Sequence, residues 1–267
     1  MQPKPRLNLE STVSLLDHPA ISSSYFFPQL RRPRVPWPVG DLVCSRVVQE
    51  LPVALLHFHG NGEVVADWAD ELGPSLARHR LDSYFAEYRG YGGSGGTPSL
   101  GALLDDSLAV HDAVVAEHGT GPVIVYGRSL GSLAAAHVAA HRSVAALVIE
   151  SGIHDLYERI AVRVTPSEIG TTEAALRAAV AEHFDQGAKI ARSTCPVTVL
   201  HTELDDLIGK HHAERNAAAA GARGRLVLFP RGDHNTIWAY NGSSIIDAIV
   251  TARALPTPSR AADTSGL

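Results

Sequence analysis

The stretch from Val123 to Leu133 restricts what this chain can fold into more than any other. A short run rich in β-branched residues, Val123-Ile124-Val125-Tyr126, leads into Gly127-Arg128-Ser129-Leu130-Gly131. Alanine-rich sequence of helical character then continues through His141. Strand, tight turn and helix in that order are the setting a nucleophile elbow requires. The two glycines have a steric reason: side chains at 127 and 131 would collide with the neighbouring strand or helix while the serine is held at the tip of a strained turn. Ser129 is therefore the candidate nucleophile. The competing reading makes it a helix N-cap, because a serine hydroxyl is weak at neutral pH unless a base and an orienting acid stand nearby.

The rest of the chain alternates apolar strand-like runs with amphipathic segments. Strands are expected at 42–48, 53–59, 83–88, 145–150, 196–201 and 225–229, in addition to the elbow strand. Helices are expected at 64–80, 100–118, 171–184, 211–220 and 237–254. Such alternation predicts an α/β fold with a mostly parallel, doubly wound sheet. At 267 residues, 45% of them hydrophobic, one large core is expected rather than two. Residues 1–40 read as an irregular arm packing Tyr25, Phe26 and Phe27 against a domain spanning 41–255. The alternation lapses over about 151–194, which reads as a small cap, and 256–267 reads as a disordered tail.

A formal net charge of −5 gives no basic footprint for nucleic acid. The polar N-terminus and the lack of a long apolar run predict neither a signal core nor a spanning helix, so a soluble, cytoplasmic protein is expected. The two cysteines, Cys44 and Cys195, make no disulfide framework and are expected to be buried, inert thiols.

Parallel sheets gather reactive groups at the carboxyl ends of their strands. Beyond the strand at 196–201 come Glu203, Asp205 and Asp206; beyond the last come Asp233, His234 and Asn235. Ser, then Asp, then His is the chain order of one particular hydrolase architecture. His234 is the candidate base. Asp205, Asp206 and Glu150 compete as the acid, and adjacent turn residues point apart, so only one of the two aspartates can reach an imidazole. The oxyanion donors are expected to be the backbone N–H groups of Leu130 and of Asn61, the latter on loop position alone. His57 and His59 lack further ligands at metal spacing, and His211 and His212 occupy consecutive helix positions that face different directions, so no metal site is expected. Arg89 and Arg128 flank the anticipated pocket and either meet an acidic substrate or bond loop carbonyls. The run from Gly92 to Gly96 is read as close packing, since no Gly-Lys-Ser/Thr follows it.

Taken together, residues 57–63, 88–94, 127–131, 201–208 and 232–235 resemble the α/β-hydrolase superfamily. Within it they are similar to the short-capped serine hydrolases that include BEM46-like and depalmitoylase-like proteins. The resemblance runs from about residue 50 to residue 250. It implies cofactor- and metal-independent cleavage of a small-molecule carboxylic ester or thioester through an acyl-enzyme, with a peptidase or amidase as the rival enzyme. An idle ligand-binding protein is the non-enzymatic alternative. It also implies Asp205 as the acid, by a His-Gly-x-x-Asp pattern in which Thr202 stands for the usual glycine. Relatives with an Asp nucleophile open epoxides or remove halides, and Ser129 argues against both. The first 40 residues hold no cysteine, so an acylated membrane anchor is not expected.

Overall fold

The computed structural model describes residues 9–254, so the segment expected to form a disordered tail lies outside the described residues, as do the first eight residues of the arm. Eight strands form one sheet: β1 (Pro36–Val39), β2 (Leu42–Val47), β3 (Val53–Phe58), β4 (Leu81–Ala86), β5 (Val123–Arg128), β6 (Ala146–Glu150), β7 (Val197–Thr202) and β8 (Gly224–Phe229). Their order is β1-β2-β4-β3-β5-β6-β7-β8. From β4 to β8 all neighbours run parallel, while β1 pairs with β2, and β2 with β4, antiparallel. β5, β6 and β7 are buried along their whole length, as central parallel strands covered on both faces must be.

Both faces carry helices: α3 (Val65–Arg78) and α10 (Ile237–Val250) on one, α4 (Leu100–His118), α5 (Gly131–His141) and α9 (Lys210–Ala220) on the other. The period-two alternation of the strands sorts side chains between them. Leu55, Ile124 and Tyr126 join Leu72, Leu76, Ile245 and Ile249, whereas Leu56, Val125 and Leu147 join Leu103, Leu133 and Ala213. Among the described residues no helix is long and apolar enough to cross a membrane.

Two segments differ from the sequence expectation. The arm is partly regular: α1 (Leu9–Leu16) and α2 (Pro19–Tyr25) precede β1, where an irregular run was expected. Residues 151–194 form α6 (Leu156–Ala161), a 3₁₀ turn over Pro166–Ile169, α7 (Glu173–Phe184) and α8 (Gln186–Arg192). α8 packs into the helix layer between α5 and α9, and α7 rests against α1 and α6.

Candidate active site

The elbow is built by close approach. A Cβ on Gly127 would lie 2.4 Å from the Gly131 carbonyl oxygen, and one on Gly131 only 2.1 Å from that of Phe58, so both positions exclude any side chain. Ser129 between them has φ of +50°, a left-handed conformation that costs a non-glycine residue on the order of 1 kcal/mol. The turn is held by the Ser129 N–H donating to the Glu150 carbonyl at 2.9 Å and by the Ser132 hydroxyl donating to the Ser129 carbonyl at 2.6 Å.

The strand ends bring together three of the residues singled out by sequence. His234 Nε2 lies 3.1 Å from Ser129 Oγ, and His234 Nδ1 lies 2.8 Å from Asp205 Oδ2. All three side chains are buried. The other Asp205 oxygen accepts the N–H groups of Leu207 at 3.1 Å and Ile208 at 2.7 Å, which fixes the carboxylate. Burial alone would raise its pKa; the His234 hydrogen bond and charge, with the Ile208 N–H, outweigh burial and hold it below the usual carboxylate range. Of the rival acids, Asp206 is exposed. Glu150 is fully buried but otherwise occupied: it accepts from the Tyr126 hydroxyl and from Trp238 Nε1 at 2.9 Å, and faces Arg128 Nε at 3.0 Å.

Leu130 and Asn61 line the same cavity as Ser129 and His234, a space of about 350 Å³. Contact of Gly131 with the Phe58 and His59 carbonyls presses the start of α5 against the 59–62 loop. The Asn61 side chain has a separate occupation. Its oxygen accepts the Phe27 N–H at 3.0 Å and the Tyr91 hydroxyl at 2.7 Å, and its amide nitrogen donates to the Tyr25 carbonyl. That side chain ties the N-terminal arm to the site, and Tyr25 and Phe27 thereby become cavity wall.

The loop is braced by His59 and Glu87, both buried. His59 Nε2 lies 2.7 Å from Glu87 and Nδ1 lies 2.8 Å from the Gly60 carbonyl, two acceptors that need two ring N–H donors. Burial lowers the His59 pKa, yet the Glu87 carboxylate overrides it and the net shift is upward. His57 is instead an aromatic core residue, stacked on Tyr126 at 4.7 Å and edge-on to Trp68, with its pKa driven well down by burial.

Neither arginine named from sequence offers a free charge to the cavity. Arg89 pairs with Asp106 through two 2.8 Å bonds. Arg128 pairs with Glu63 and Glu150 and donates to the His234 carbonyl at 2.6 Å, linking the nucleophile turn to the histidine loop. The bond to a loop carbonyl is one of the two roles expected from sequence; the pairing with Glu63 and Glu150, 65 and 22 positions away, is not.

His211 and His212 do not face apart as expected. Their rings lie 4.3 Å apart and both reach Glu158, at 3.1 and 3.4 Å. This is a ligand-like group, but His212 Nδ1 accepts the His154 N–H at 3.1 Å. That bond puts the proton on Nε2 of the neutral ring, and the nitrogen facing Glu158 has no lone pair for a cation. Cys44 is buried with its pKa raised to about 12, and Cys195 is also raised by burial, as inert thiols should be.

A doubly wound sheet with an antiparallel first pair, a glycine-flanked serine after the fifth strand and carboxylate and histidine loops after the seventh and eighth define the α/β-hydrolase architecture. The chain belongs to that superfamily, and residues 50–186 match the family described as Hydrolase_4, serine aminopeptidase, S33. It is 32% identical to protein Rv2307c of Mycobacterium tuberculosis over 67% of this chain and 62% of the relative. It is 28% identical to α/β hydrolase domain-containing protein 17B of Xenopus laevis over 65% of this chain and 58% of that protein. These matches span less than two thirds of the relatives' own lengths. Among solved structures, a monoacylglycerol lipase of Paleococcus ferrophilus superposes with a TM-score of 0.62 at 14% identity, covering 79% of this chain and 99% of that one, a likeness of fold.

Proposed function

We infer that the protein hydrolyses a carboxylic ester or thioester through an acyl-enzyme formed on Ser129. The observation that carries this reading is the continuous Ser129–His234–Asp205 relay opening onto the cavity. His234 Nε2 takes the Ser129 proton as Oγ bonds the acyl carbon. The Leu130 and Asn61 N–H groups receive the charge that develops on the carbonyl oxygen, each donor being worth on the order of 3 kcal/mol. The imidazolium, steadied by Asp205, then protonates the departing oxygen or sulfur. A water molecule repeats the sequence in reverse order of roles and frees the acid.

The family description favours comparison with an aminopeptidase, which needs an anionic anchor for a substrate ammonium. Glu63 is the acid lining the cavity among the described residues, and it is spent on Arg128, the Gly60 N–H and Trp68 Nε1. An ester or thioester makes no such demand.

The test is labelling with a fluorophosphonate together with turnover of p-nitrophenyl esters of graded length. Wild type should label and turn over. Ser129→Ala should do neither, with a loss in kcat on the order of 10⁶, and should keep the wild-type fold. Wild-type turnover by the mutant refutes the serine mechanism, and a folded wild type inert to every probe favours an idle binding protein.

A further inference from the structure

Two arginines that no ion pair explains stand in the wall of the Ser129 cavity. Arg159 lies in α6 and Arg163 just beyond its end, four positions on, and both line the cavity with Ser129 and His234. Two like charges in the wall of one cavity repel each other. Among the described residues neither has a carboxylate within ion-pair distance, whereas their neighbour Glu158 is engaged by His211, His212 and Arg215. The chain as a whole has acids in excess, with 28 Asp and Glu against 23 Lys and Arg, so an unbalanced positive wall is not background.

The geometry on the arm side is equally specific. The Arg163 guanidinium lies over the Phe27 ring, 4.8 Å from its centre. An aromatic ring accepts no strong hydrogen bond, so a guanidinium held over it keeps N–H donors free to grip an oxyanion. The Phe27 backbone N–H is itself held by the Asn61 and Tyr91 side chains, which anchors this residue beside the cavity. The two cations also bear on Tyr25, whose phenol is raised by burial and drawn partly back by Arg159 and Arg163.

We propose that Arg159 and Arg163 form an anion subsite of the Ser129 cavity, so that the ester or thioester cleaved there carries a carboxylate or phosphate group. This rests on the serine-hydrolase reading and adds the substrate's charge to it. Bond making and breaking are unchanged; the anion is held aside and orients the acyl group. One-sided anchoring of this kind accounts for a cavity with no acid left free.

Two matched pairs test it. Mono-p-nitrophenyl glutarate against p-nitrophenyl valerate asks about a carboxylate on the acyl side. Butyryl-4′-phosphopantetheine against butyryl-pantetheine asks about a phosphate on the leaving group. The charged member of at least one pair should have the higher kcat/KM, by about tenfold for each guanidinium engaged, and the advantage should shrink with added salt. Arg159→Gln and Arg163→Gln should each cut that ratio, the double variant should bring it near one, and Arg159→Lys with Arg163→Lys should restore part of it. Equal rates within both pairs, or a ratio that survives the double glutamine variant, overturn the subsite. Fluorophosphonate labelling separates the two claims, since a labelled enzyme without charge preference loses only the subsite. If nothing is labelled or hydrolysed, the serine reading fails, and thermal shifts with glutarate and phosphopantetheine against glutaramide and pantetheine decide the subsite: shifts confined to the anions and lost in the double variant support it, and their absence refutes it.

Discussion

Asp205→Asn is the most discriminating single substitution in the site. It preserves the shape of the side chain and its bonds from Leu207 and Ile208, but an amide facing His234 Nδ1 favours the wrong imidazole tautomer. A loss of about 10⁴ in kcat is expected, the size seen when a triad acid is neutralised in a serine protease. Asp206→Asn should leave turnover near wild type, because that side chain is exposed. If steady-state kinetics show Asp206→Asn crippled and Asp205→Asn active, the acid is misassigned. Ser129 and His234 were legible because strand-end position and chain order single them out. The preference for Asp205 over the adjacent Asp206 came from the family resemblance alone, since it depends on which side chain turns inward over a loop. Arg128 was harder still: its meaning comes from Glu63, Glu150 and His234, which only the folded sheet brings together.

The same difference separates the strands from the arm. β3 to β8 announce themselves as apolar runs with turn residues after them, and each was located to within about two residues at either end. β1 hides behind Pro36 and Pro38, which cannot donate to a ladder and so read as irregular sequence; an edge strand tolerates them, and Trp37 between them points inward. α2 is similarly disguised, with Pro19 in its first turn and the ring of His18, an unusual cap, accepting the Ala20 N–H at 3.1 Å. The arm nevertheless forms part of the site through Asn61. Asn61→Ala removes the contacts to Tyr25, Phe27 and Tyr91 together and should destabilise the protein by about 2 kcal/mol, at roughly 1 kcal/mol or less for each bond. Hydrogen exchange gives the sharper readout: the Phe27 amide, left with the Tyr91 hydroxyl at 2.8 Å as its partner, should exchange faster while the β5 amides keep their protection. Unchanged exchange at Phe27 would mean that the Tyr91 hydroxyl holds this amide without help from Asn61. Residues 171–184 present the converse case. The helix was legible, but none of its side chains lines the Ser129 cavity, where the loop before α6, α6 itself and the turn after it contribute Ile153, Arg159 and Arg163.

At the scale of the whole molecule, one buried charge sets a slope in stability. Lys189 in α8 is nearly buried between α7 and α5, its ammonium 4.8 Å from the centre of the Phe184 ring and without a hydrogen-bond partner among the described residues. Burial first, and then Arg192, drive its pKa from 10.5 down to about 7, with Asp185 opposing. His137, on the facing side, is pushed down to about 3 by burial and the surrounding cations, and so adds no charge near neutrality. The sign follows from proton counting. Between pH 7 and 10.5 the unfolded chain holds the lysine proton and the folded chain does not, so in this window stability rises with pH, and below it the full penalty of the buried ammonium is present. His59 works in the opposite sense: its raised pKa contributes stability at low pH that is lost as pH climbs through the folded value. Comparing two variants cancels that contribution. Lys189→Met keeps the length of the stem and its packing on Phe184, and at pH 7 it should exceed wild type in unfolding free energy by on the order of a few kcal/mol. Denaturant melts at successive pH values should show the gap narrowing by pH 9, as the proton that the wild-type lysine gives up on folding becomes easier to lose. A gap that stays constant across that range would mean that the ammonium is solvated in the native protein, and that replacing it changes packing alone.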